Sequence, residues 1–111
     1  MLPINQQIEE LCEIAVRKDG NTLKYIENQT ENICIYAIMQ TYDALKYVKN
    51  QTPSLCELAI SFSAYAFMHI KKPTLKFYWM AIKRDPNAKR DIYNYMEKNG
   101  EIPMSFLAIV I

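Results

Sequence analysis

Three cysteines, Cys12, Cys34 and Cys56, stand 22 residues apart, and other residues keep the same step. Ala15, Ala37, Ala59 and Ala81 keep it, as do Val16, Ile38, Ile60 and Ile82, and Ile26, Val48, Ile70 and Ile92. Leu11, Ile33, Leu55 and Phe77 form a further apolar column, and residues 23–30 recur with near-identity as residues 45–52. A fixed period of this length describes a supersecondary unit that cannot bury its apolar face alone and has to stack on its neighbours.

The internal chemistry of the unit points to two helices. Thr30, Thr52 and Thr74 share one column; Asp19, Thr41, Ser63 and Asp85 share another, 11 residues away. All seven are side chains that accept a hydrogen bond from the first free N–H groups of a helix. Pro53 and Pro86 directly follow two of them, at the first helical position, where proline is favoured. Asn28, Asn50 and Asn94 stand where the second helix of a unit is expected to end in a left-handed turn. The expected helices are therefore 6–18, 20–27, 31–40, 42–49, 53–62, 64–71, 75–84 and 86–98. Helices this short are marginal in isolation and require tertiary packing.

The expected fold is all-α. It is a short α-solenoid of four helix-pair repeats, residues 5–26, 27–48, 49–70 and 71–92. A C-terminal capping helix and apolar tail over 93–111 close it, and 1–111 forms one domain. In the second unit Ile33, Cys34, Ala37 and Ile38 share one face of the first helix, and Leu45 and Val48 face inward from the second. In the fourth unit Lys89 replaces the Leu45 column and Asp91 the Tyr47 column, the polar drift of a terminal capping unit. The apolar residues Met104–Ile111 are expected to fold back over the end of the stack, or else to contact a second copy or a partner.

The repeated Leu-Lys-Tyr-Val-Lys-Asn-Gln-Thr segment is followed by Ile/Leu-Cys and then Ala-Ile. It resembles a short tandem helical repeat family of unknown function found in giant DNA virus, phage-associated and some bacterial proteins. The likeness is carried by Asp19–Gly20, by 23–34 with Ala37–Ile38, and by 45–56 with Ala59–Ile60. It fades in the fourth unit, where Tyr78 stands in the cysteine column. The resemblance implies a helical repeat and a viral, phage or mobile-element setting. It brings no catalytic residues.

Nothing in the sequence supports an enzyme or a cofactor. Two isolated glycines cannot build a phosphate-binding loop, and His69 is the only histidine. Zinc sites use closely spaced ligand pairs, whereas these cysteines fall in successive layers. They read as buried, inert thiols. Asn28-Gln-Thr30 and Asn50-Gln-Thr52 match a glycosylation acceptor, but helix ends and caps account for them without it. The N-terminus lacks an apolar leader segment. The longest apolar run, Phe106–Ile111, is far shorter than the ~20 residues that span a bilayer. With three cysteines and no export signal, a cytoplasmic setting is expected, that of the host cell for a viral or phage protein.

Interaction is the remaining class. The formal net charge is only +1, but residues 1–70 carry −3 and residues 71–111 carry +4. Columns that vary between units should face solvent, and their apolar members are Ile35, Met39, Phe62 and Trp79. A second ridge alternates basic and aromatic residues: Lys24, Tyr25, Lys46 and Tyr47. A basic patch is expected from Lys71, Lys72, Lys76, Lys83, Arg84, Lys89 and Arg90. The leading expectation is a non-catalytic protein-binding module, plausibly one that masks a host defence protein. Nucleic-acid binding through the basic C-terminal half and self-association through the apolar tail are the alternatives.

Overall fold

The cap columns mark where helices start. The computed structural model describes residues 4–98, and among them the chain is all-α, with no strand. Five α-helices are formed: α1 (Ile4–Lys18), α2 (Glu31–Gln40), α3 (Pro53–Phe62), α4 (Leu75–Arg84) and α5 (Lys89–Lys98). Thr30, Thr52 and Thr74 cap α2, α3 and α4 by accepting from the backbone N–H of Ile33, Leu55 and Phe77. The bounds of these three helices coincide with those expected from the caps.

The second element of each unit differs from expectation. Residues 20–27, 42–49 and 64–71 do not form α-helices. They form six-residue 3-10 helices, Gly20–Tyr25, Tyr42–Tyr47 and Ala64–His69, each ended by an extended Ile26, Val48 or Ile70. Side chains three apart eclipse in a 3-10 helix. That spacing aims Leu45 with Val48, and Phe67 with Ile70, into the core. The element therefore stops two or three residues before Asn28 and Asn50, which do not act as left-handed terminators. The fourth expected helix, 86–98, is divided into a 3-10 turn, Pro86–Ala88, and α5. Here Lys89 occupies the Leu45 column, and burial moves to Ala88, Ile92 and Met96, four apart, the spacing of an α-helix. Asn94 lies inside α5.

Three of the four residues of the second cap column act as expected: Asp19, Ser63 and Asp85 accept from the N–H two residues on. Thr41 makes no side-chain cap bond. Gly20 answers a steric demand. A Cβ there would collide with the Ala37 carbonyl oxygen and stand 2.9 Å from Thr41 Cγ2, while its N–H donates to Gln40 Oε1 at 2.7 Å.

Packing follows the order of the chain. α1 packs on α2, α2 on α3 and α3 on α4. The 3-10 helices line one side of this row, each touching the α-helix before it and the one after it. The extents are 59 × 21 × 20 Å. The core holds Ile33, Cys34, Ala37, Ile38, Leu45 and Val48 as expected, with their counterparts Leu55, Cys56, Ala59 and Ile60. Tyr78, in the cysteine column, is fully buried, edge-on to Phe67 with ring centres 6.1 Å apart.

The core expectation fails in the first unit. Leu11 shares a column with buried Ile33, Leu55 and Phe77, yet it is 65% exposed. In the later units the preceding 3-10 helix packs against the α-helix; α1 has no such element before it among the described residues. The expected fold-back of residues 104–111 lies outside the described residues.

Candidate interaction surfaces

Neighbouring layers are joined by two glutamines that the sequence reading did not single out. Gln29 Nε2 donates to the carbonyls of Leu23 (3.3 Å) and Tyr47 (2.9 Å), and its Oε1 accepts from Lys49 N–H at 2.9 Å. Gln51 repeats this one layer on: Nε2 donates to Leu45 and His69 carbonyls at 2.9 Å, and Oε1 accepts from Lys71 N–H at 2.8 Å. Each amide thus joins two 3-10 helices: it donates to the last carbonyl of the later one, Tyr47 or His69, and adds a second bond to a carbonyl, Leu23 or Leu45, that already accepts from the N–H of Ile26 or Val48. The signal was present in the sequence, since Gln7, Gln29 and Gln51 also keep the 22-residue step. The two acceptor-pattern asparagines, Asn28 and Asn50, are exposed beside them.

The first surface is on the α-helices. Met39 on α2, Phe62 on α3 and Trp79 on α4 are large apolar side chains about half exposed. Ile35, expected with them, is only partly exposed and packs against the core. Trp79 is held edge-on against Tyr78 at 5.7 Å. It shares a helix face with Lys76 and Lys83, three before and four after it. Two ties brace α3 to α4 here: Lys76 Nζ to Glu57 Oε1 at 2.9 Å, and Arg84 Nε donating to the Ser61 carbonyl at 3.0 Å.

The second surface is the ridge of the 3-10 helices, and here four expected residues are brought together. Lys24 Nζ lies 5.0 Å from the Tyr25 ring centre and 6.0 Å from that of Tyr47; Lys46 Nζ lies 5.2 Å from Tyr47. These are cation–π distances. The ridge changes character at His69, in the Tyr25–Tyr47 column. His69 Nε2 is 3.0 Å from Asp43 Oδ1, and Tyr65 donates from its hydroxyl to Asp91 Oδ2 at 2.8 Å. That bond to Asp91 pushes the Tyr65 phenol up from its ordinary value.

The expected basic patch is divided. Lys71 Nζ donates to the Val48 carbonyl, Lys76 is paired with Glu57, and Arg84 is bonded to Ser61. Lys72, Lys83, Lys89 and Arg90 are exposed on the loop before α4, on α4 and on α5.

The cysteines are all free thiols. Burial pushes Cys34 and Cys56 up from the ordinary thiol value, with Glu31 and Glu57 adding to it. Cys12, expected to be buried, is only partly so, no layer preceding α1 among the described residues; it lines a groove with Ile8, Tyr25, Ile26 and Ile33. Among the described residues no group of His, Cys, Asp and Glu could hold a metal ion. Nor is any described helix long and apolar enough to cross a membrane.

The third surface was missed in the sequence. α1 exposes Ile4, Ile8, Leu11 and Ile14, each at least half accessible, along its whole length. The i, i+4, i+7 pattern was legible, but the column logic assigned Leu11 to a core that needs a layer before α1.

Comparison with family models found no match, and none was found among the curated proteins or the solved structures.

Proposed function

We propose that the chain is a short α-solenoid of four helix-pair repeats with a 22-residue period, and that it acts as a non-catalytic protein-binding module. The observation that carries the binding assignment is the exposed trio Met39, Phe62 and Trp79, presented by three successive helices packed one on the next. Large aromatic side chains and methionine on a pre-ordered surface are characteristic anchors of protein interfaces. Lys83 flanks Trp79 one turn on, so the fitting partner has an apolar centre and an acidic group at the Lys83 side of its rim. The recurrence of the threonine caps, and of the Gln29 and Gln51 bonds 22 residues apart, supports the repeat reading. The resemblance noted above favours a viral or phage setting, in which masking a host defence protein is a fitting role.

The test is affinity capture from a host lysate, followed by titration of the recovered protein with the wild-type chain and with Trp79→Ala and Phe62→Asp. At least one variant should weaken binding about 30-fold or more. A partner bound equally well by both variants, or no specific partner at any salt, would sink this reading.

A second reading is favoured by the Lys24–Tyr25–Lys46–Tyr47 ridge, where stacked rings and ammonium groups suit a single-stranded nucleic acid. Its affinity should fall steeply with salt and drop in Tyr25→Ala. No binding of oligonucleotides at low salt would remove it.

A further inference from the structure

The helices α1, α2, α3 and α4 run in the same direction, so their last turns share one edge of the row. Gly20, two residues past α1, donates its N–H to Gln40 at the end of α2, and Arg84 at the end of α4 reaches the Ser61 carbonyl at the end of α3. α2 and α3 begin together, since Thr30, Cys34, Thr52 and Leu55 line one groove. On the shared edge the outer helices end in exposed cations, Arg17 with Lys18 and Lys83 with Arg84. The inner helices end in uncharged side chains, and Met39 and Phe62 are the large apolar groups among them, each about half exposed. We infer that this edge receives a segment of a partner protein that is apolar at its centre and acidic at both ends. Such a partner specifies the protein-binding reading proposed above and depends on it.

Charge complementarity selects this occupant. Both arginines lean toward the apolar centre: the Arg17 guanidinium lies 3.9 Å from the ring centre of Tyr36 on α2, and Arg84 Nε donates to Ser61 on α3 at 3.0 Å. These contacts hold two cations on the flanks of Met39 and Phe62 before any partner arrives, which lowers the ordering cost of binding. None of the four last turns holds an acidic residue. Asp19 and Asp85, which follow α1 and α4, turn a carboxylate oxygen to their own next turn, accepting from the N–H of Asn21 and Asn87. Each outer helix end thus carries two cations against one carboxylate.

Other occupants fit less well. α1 and α4 are three interhelical steps apart, so the basic ends stand roughly 24–30 Å from one another with the apolar pair between them. A nucleic-acid backbone carries charge at every nucleotide and would set phosphates against that uncharged centre. A second copy offers the wrong pattern in α1, where Glu9, Glu10 and Glu13 are central and the last turn is basic.

Selection from a displayed library of random peptides, with the full chain as bait, tests this. Peptides of about 20 residues cross the edge even as helices rising ~1.5 Å per residue. The wild type should enrich peptides with Asp or Glu near both ends and apolar residues between. The tightest of these, made synthetically, should bind about 10-fold more weakly at low salt to the double variant Lys18→Glu, Lys83→Glu, and about 30-fold more weakly to Phe62→Asp, both with unchanged far-ultraviolet circular dichroism. The charge-reversed chain, used as bait, should enrich Lys and Arg at the peptide ends instead. No enrichment, enriched peptides without acids at both ends, displacement of the peptide by an oligothymidylate of about 20 nucleotides, or self-association of the chain abolished by the charge reversal would each overturn the proposal. Weakening by Phe62→Asp but not by the charge reversal would overturn it and leave the protein-binding reading standing. Indifference to both Phe62→Asp and Trp79→Ala would remove the two together.

Discussion

Leu11 and Ile33 occupy the same place in consecutive units, yet one is 65% exposed and the other 1%. α1 is strongly one-sided, whereas α2 is apolar around more of its surface. The neighbours differ too: α2 has α1 on one side and α3 on the other, whereas α1 has α2 and the 3-10 helix Gly20–Tyr25 beside it and no layer before it among the described residues. The opposite end of the row meets the same problem in another way. There Lys89 replaces the inward leucine, and burial shifts to Ala88 in the 3-10 turn and to Ile92 and Met96 on α5, whose outer face is charged. Among the described residues one end of the row presents polar side chains and the other apolar ones. In a stacked architecture, burial of a column is thus a property of the layer next to it.

This contrast can be broken most severely inside the row. Ile33→Ala should cost about 3 kcal/mol through lost burial and a residual cavity, measured by urea denaturation. Leu11→Ala, at the matching position, should stay within about 0.5 kcal/mol; equal losses would mean that α1 is covered in solution. Next comes the amide of Gln51. Gln51→Ala leaves the His69 carbonyl and the Lys71 N–H to find other partners, while the Leu45 carbonyl keeps the Val48 N–H, at about 2 kcal/mol. Faster amide exchange should be confined to the two layers it joins.

Smaller effects separate the two cap columns. Thr52→Ala removes a bond to Leu55 N–H and should cost about 1 kcal/mol, whereas Thr41→Ala removes none and should be close to neutral. The thiols should sharpen the contrast further. Cys12, beside the uncovered face, should be alkylated in the native protein well before buried Cys34 and Cys56. Those two thiols, and the Tyr78 phenol, are raised by burial. Their preference for the protonated form is fully present below the ordinary thiol value of 9.0 and is lost as pH rises through the raised folded-state values. Stability should therefore decline on alkaline titration, and Cys34→Ala with Cys56→Ala should flatten the decline.

Much of this was legible in the residues. Thr30, Thr52 and Thr74 mark the starts of α2, α3 and α4, because a hydroxyl before an apolar-periodic run has one common use. The Ala37, Ala59 and Ala81 column marks the buried side. The 3-10 geometry was also written, as inward residues three apart, Leu45 with Val48 and Phe67 with Ile70. Leu45 with Val48 reads equally well as an α-helical i, i+3 pair, since both helix types tolerate that spacing. The exposed trio on α2–α4 was partly legible, with Ile35 lost because its partial burial depends on neighbouring helices. The division of the basic patch could not be read, because Lys71 and Arg84 reach carbonyls 23 residues away in the chain. The α1 stripe was hidden by the periodicity itself.

The ties between layers have a kinetic corollary. Among the described hydrogen bonds, none joins residues more than 26 apart. Closing such short loops is entropically cheap, and chains dominated by local contacts cross their folding barrier quickly. Any two adjacent layers can serve as a nucleus, and the rest can be added one layer at a time in either direction. The chain should therefore reach its native state on the sub-millisecond to millisecond scale.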